Sequence, residues 1–118
     1  MKKIKSFEEA VKKTGLPNVD FSNLPEDLRL YFENQHKAVV ITEAINEGWV
    51  ADYSNSSQKK WFPVFYMSPS GFVFRYANFG CSNAGAGGTS RLCFETKAAA
   101  EYAGKTFTEI YQEIVLRQ

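Results

Sequence analysis

The chain has 118 residues, enough for one domain that buries roughly two-thirds of the surface its unfolded form exposes. Hydrophobic residues make up 44% and charged residues 23%, near globular averages, which excludes disordered, collagen-like and disulfide-scaffold classes. Fourteen basic residues stand against 13 acidic ones, a near balance that weighs against affinity resting mainly on phosphate contacts.

Lys2, Lys3 and Lys5 make a basic start, but Ser6-Phe7-Glu8-Glu9 occupies the place where a signal peptide carries its apolar stretch. No uninterrupted apolar run reaches the length of about 18 residues that a membrane span needs, so the expected location is the cytoplasm. Ser6 followed by Glu9 is a capping-box pattern, and Gly15 with Pro17 beyond it is a stop. These signals predict a helix over 7–14, anchored by Phe7 and Val11 at i, i+4.

A second helix is predicted from Leu24-Pro25-Glu26-Asp27 to Gly48, proline suiting its first turn and the acids its positive end. Leu28, Tyr31, Phe32 and Val39 share one stripe of it. The apolar, β-branched run Ala38-Val39-Val40-Ile41 marks its second half as the more buried. The lone His36, among Glu33, Asn34, Gln35 and Lys37, reads as part of a solvated turn rather than a catalytic base.

From Lys60 to Met67 the period falls to two, placing Trp61, Pro63, Phe65 and Met67 on one face of a strand and Phe62, Val64 and Tyr66 on the other. Pro63 cannot donate to a ladder, so an edge strand or a bulge is expected there. Ser68-Pro69-Ser70-Gly71 is a tight turn, and 71–76 returns antiparallel with Phe72, Phe74 and Tyr76 aligned. The glycine-rich stretch within 80–90 reads as a mobile loop, because the lysine and hydroxyl pair of a phosphate-binding loop is missing. Arg91 to Phe94 is read as a third strand. Thr96 then caps a long final helix whose Ala99, Ala103, Phe107, Ile110 and Ile114 form one face.

The expected fold class is α+β: an antiparallel sheet of about three strands packed with N-terminal helices and a long C-terminal helix, one domain over 1–118. Cys81, Cys93 and His36 are too few for a four-ligand zinc site, and both thiols are expected reduced, Cys93 buried beside Leu92 and Phe94. No catalytic residue, metal ligand or cofactor site is assigned.

One departure from a plain core is visible. Residues 53–94 contain Lys59, Lys60, Arg75 and Arg91 but no Asp or Glu, and they hold ten of the 18 aromatic residues. A sheet face of rings beside cations can stack single-stranded nucleic acid. Aromatic and arginine side chains also concentrate binding energy at protein interfaces. The binding residues expected under either reading are Lys59, Lys60, Trp61, Tyr66, Arg75, Tyr76 and Arg91.

The chain also resembles small proteins encoded in Bacteroidetes genomes and their phages or prophages. The likeness covers most of the chain and rests on Leu24-Pro25-Glu26-Asp27-Leu28, Glu43-Ala44-Ile45-Asn46-Glu47-Gly48-Trp49, Lys60-Trp61-Phe62-Pro63, Ser68-Pro69-Ser70-Gly71-Phe72 and Ser90-Arg91-Leu92-Cys93-Phe94. It continues through Glu101-Tyr102-Ala103-Gly104-Lys105 and Phe107-Thr108-Glu109-Ile110-Tyr111, and is weakest from Asn78 to Gly88. The resemblance implies a bacterial cytoplasm and brings no activity with it. The expectation is therefore a non-enzymatic binding or accessory domain whose partner is a protein or single-stranded nucleic acid. An enzyme is the third alternative, and a homodimer through the sheet edge near Pro63 is a further one.

Overall fold

A computed structural model describes residues 1–85 and 90–116. Residues 86–89, which carry part of the expected glycine-rich loop, lie outside the described residues. Helix α1 spans Phe7–Thr14 and is closed at both ends by the groups its sequence provides. The Ser6 hydroxyl accepts the Glu9 N–H at 3.1 Å, while Glu9 reaches back to accept the Lys5 N–H at 3.2 Å. Gly15, at φ 70°, donates its N–H to Val11 at 2.8 Å.

Helix α2 spans Glu26–Asn46, and Glu47 closes it in the left-handed region at φ 50°. Ala38, Val40, Ile41, Ala44 and Ile45 are each 2% exposed or less, so its second half is the core half, as the β-branched run indicates. The first half is the more exposed one. Leu28, Tyr31 and Phe32 remain 47%, 40% and 42% exposed, and only Val39 of that stripe lies beside the core run. Length explains this, because 21 residues extend about 31 Å whereas an eight-residue neighbour such as α1 reaches only about 12 Å.

Strands β1 (Lys60–Ser68) and β2 (Gly71–Gly80) form an antiparallel hairpin. At its turn, the Ser68 hydroxyl accepts the Ser70 N–H and donates to the Gly71 carbonyl at 2.8 Å. Gly71 takes φ 131°, a conformation that a residue with a side chain would strain to adopt.

The expected third strand is reduced to one bridge, in which Trp61 and Phe94 exchange backbone hydrogen bonds of 2.9 and 2.7 Å. One neighbour explains why the ladder stops: Pro63, two residues beyond Trp61 on the same outer edge, has no N–H to offer. The Cys93 carbonyl, which faces away from β1, accepts the Asn46 side-chain amide at 3.0 Å.

The expected long final helix is divided as well. Helix α3 spans Lys97–Thr106, with the Thr96 hydroxyl accepting the Ala99 N–H at 3.1 Å, and α4 spans Thr108–Val115. Between them Phe107 leaves helical geometry at φ −115°, ψ 32°. The Thr108 hydroxyl bonds the Gly104 carbonyl at 2.8 Å, an interaction that bends helices, and it sits at the break. Phe107 itself is still buried, at 7% exposed.

The core lies where α2, α3, α4 and one face of the hairpin meet. Ile4, Ala10, Phe94 and Ala100 are fully enclosed there. Tyr102 donates its hydroxyl to the Ile4 carbonyl at 2.6 Å, which ties the N-terminal segment across α3. Among the described residues, no helix is long and apolar enough to cross a membrane. Cys81 and Cys93 are not joined in a disulfide.

Candidate functional site

The hairpin has two chemically different faces, and a bulge decides which residues reach each. Val64 pairs with Tyr76 and Phe65 with Phe74, so Arg75 is an extra residue in β2. Trp61, Pro63, Phe65 and Met67 then share a face with Phe79, Ala77, Phe74 and Phe72. The helices cover the middle of this face, and Met67 and Phe79 towards its two ends stay 55% and 41% exposed. A Cβ at Gly104 of α3 would lie 2.5 Å from the Phe74 ring and 2.8 Å from Pro63, and Phe65 packs on Tyr111 of α4 at 5.1 Å between centroids.

On the opposite face Phe62, Val64 and Tyr66 meet Asn78, Tyr76 and Val73. Tyr66, Val73 and Tyr76 are 43%, 40% and 47% exposed. The Arg75 guanidinium lies over the Tyr66 ring at 5.1 Å, which fixes a planar cation beside the phenol. The bulge thus corrects the expected alignment of Phe72, Phe74 and Tyr76. Phe72 and Phe74 point to the helices, while Tyr76 joins Arg75 and Tyr66 on the open side.

The seven residues expected to bind do not form one patch. Tyr66, Arg75 and Tyr76 come together as described. Lys59 and Trp61 sit at the start of β1 on the helix-covered side, Trp61 against Phe79 at 4.7 Å and the Lys59 ammonium 4.8 Å from the Phe79 centroid. Lys60 leaves the list of surface residues, being 1% exposed. Its ammonium donates to the Asn55 and Cys81 carbonyls and lies 5.0 Å from the Tyr53 centroid, which ties the 53–58 and 80–82 segments to the strand. Arg91 pairs with Glu43 of α2 at 3.0 Å, away from the open face.

Val73, Phe62 and Val64 belong to the open face but were not singled out from sequence. Period-two alternation marks Phe62 and Val64, whereas Val73 becomes legible only through the pairing register. His36 also differs from its expected solvated place. Its ring lies 6.0 Å from Phe7 and 6.1 Å from Phe21, and its Nε2 is enclosed without a hydrogen-bond partner.

No protein-family model, curated protein or solved structure matches this chain. The chemistry available is therefore read from the side chains alone. Cys93 is fully buried, and that burial raises its thiol pKa despite the Tyr53 hydroxyl 4.0 Å away. A buried, protonated thiol is a poor nucleophile.

Tyr111 is raised further, again by burial, with the Thr42 hydroxyl offsetting a part. The hydroxyl and N–H of Ser54 hold the Asp52 carboxyl below its ordinary value, and the Ser22 backbone and side chain do the same for Asp20. Both carboxylates are turn acceptors. Among the described residues, no group of three His, Cys, Asp or Glu side chains could hold a metal ion. What the open face offers is contact area: two phenols, three apolar side chains, the Asn78 amide and one guanidinium, with no acid among its described residues.

Proposed function

We propose that this chain is a non-enzymatic binding or accessory protein whose open hairpin face docks a partner protein. The observation that carries the reading is the gathering of Tyr66, Arg75 and Tyr76 beside the exposed Val73. Tyrosine and arginine bring large area with few rotatable bonds and concentrate affinity at interface centres. The likeness to proteins of Bacteroidetes and their phages makes the bacterial cytoplasm the proposed setting. The face is favoured over an edge for pairing, since Pro63 interrupts the outer edge of β1 and the Arg75 bulge interrupts β2.

Single-stranded nucleic acid is the second reading, favoured by the absence of any acid from 53 to 94. It is the weaker one because Lys60 is enclosed and Arg91 is matched by Glu43, which leaves Arg75 as the cation on the open face among the described residues. Phosphate contacts dominate nucleic-acid affinity, and one cation supplies few of them. Fluorescence anisotropy with labelled single-stranded DNA and RNA, at about 50 and 200 mM salt, separates the two. The expected result is no saturable binding at either salt concentration. Binding that collapses at the higher salt, and is lost in a folded Tyr66→Ala/Arg75→Ala/Tyr76→Ala variant, would overturn the protein-partner reading.

A further inference from the structure

A second surface lies where the start of α2 meets the end of α4. It is a cavity of about 450 Å³ whose apolar lining includes Leu28, Tyr31, Ile114 and Val115. Leu28, Tyr31 and Val115 are 47%, 40% and 56% exposed, a concentration of apolar surface that the core does not use. Glu26, Asp27 and Glu113 are the acids among its lining residues, and no Lys or Arg is among the described ones. The nearby Arg29 is directed to Glu33, at 3.8 Å.

We infer that this groove receives a basic amphipathic helix from a partner protein. The apolar floor between two helices suits side chains spaced at i, i+3 and i+4 on one face of such a helix. The glutamates select the flanks. Lysine or arginine beside the apolar stripe gains an opposite charge there, whereas an acidic helix, a nucleic acid or an anionic membrane meets repulsion. A symmetric pair of this chain, groove against groove, would set one acid-lined groove against another, so a second copy is the poorer occupant.

The test uses two fluorescein-labelled 18-residue peptides with the same leucine face, one flanked by lysine and the other by glutamate, titrated with the whole chain. The lysine peptide is expected to bind at least tenfold more tightly than the glutamate peptide. A Glu26→Lys/Glu113→Lys variant, checked for unchanged helical circular dichroism, should reverse that order. Leu28→Ser/Val115→Ser should weaken the lysine peptide at least fivefold, and Tyr66→Ala/Tyr76→Ala should leave its affinity as in the unmodified chain. Equal affinity for the two peptides, binding of neither, or indifference to the charge reversal would overturn the inference. So would sedimentation showing the chain alone to be a dimer that Val115→Glu dissociates, because the groove would then be filled by a second copy.

Discussion

Replacing Phe94 by alanine should lower stability by about 3–5 kcal/mol, the cost of emptying a fully enclosed aromatic site. In a chain of this length the melting temperature would fall by about 10–20 °C. Phe94 is 0% exposed, and its backbone holds the one bridge that attaches the segment before α3 to β1. Alanine keeps both bridge hydrogen bonds and removes only the ring, so the loss reports packing. Tyr76→Ala is the matched comparison, since Tyr76 is 47% exposed on the open face and should cost under about 1 kcal/mol. Urea denaturation followed by circular dichroism measures both. Similar losses for the two variants would contradict the placing of Phe94 in the core and of Tyr76 on the open face.

Gly104→Ala should destabilise by about 1–3 kcal/mol, although the same change inside a helix ordinarily stabilises by about 1 kcal/mol. The sign turns on one contact. A Cβ at position 104 would stand 2.5 Å from Phe74 Cδ1 and 2.8 Å from Pro63 Cβ. Neither neighbour can yield cheaply, since Phe74 is wedged beside Phe65 and Pro63 is fixed to the strand by its own ring. α3 must retreat from the sheet, and Gly104→Val should cost more than Gly104→Ala. A rise in melting temperature for Gly104→Ala would show that α3 does not lie this close to β1.

The features legible from sequence are those whose cause lies within a few residues. Ser6 and Gly15 bound α1, Thr96 opens α3, and Ser68 to Gly71 make the hairpin turn, each through a local hydrogen bond or dihedral preference. What sequence did not disclose depends on distant partners. The Arg75 bulge is a fact of pairing register, and it moves Tyr76 to the face opposite the one that strict alternation from Phe74 assigns. The segment at Phe94 is placed by Asn46, 47 residues away from Cys93 in sequence, whose side chain holds the Cys93 carbonyl on the side away from β1. Lys60 reads as a surface cation until the 53–58 and 80–82 segments close around its ammonium.

The candidate face was legible in part for the same reason. Tyr66, Arg75 and Tyr76 stand out by residue type, and all three reach the open side. Lys60 and Arg91 stand out equally, yet burial removes the first and Glu43 matches the second. Charge and aromatic density along the chain thus indicate which segment is unusual. They do not indicate which side of a two-stranded sheet each residue occupies.

The most direct measurement places a photo-crosslinking p-benzoylphenylalanine at Val73, in the middle of the open face, and in a second sample at Glu8 on the exposed side of α1. Both are irradiated in a whole lysate of the source cells and treated with nuclease before separation. The expected result is one discrete protein adduct from position 73, absent from position 8 and lost when Tyr66 and Tyr76 are changed to alanine. Equal adducts from the two positions, or an adduct at 73 that nuclease shortens, would contradict a protein-docking role for this face.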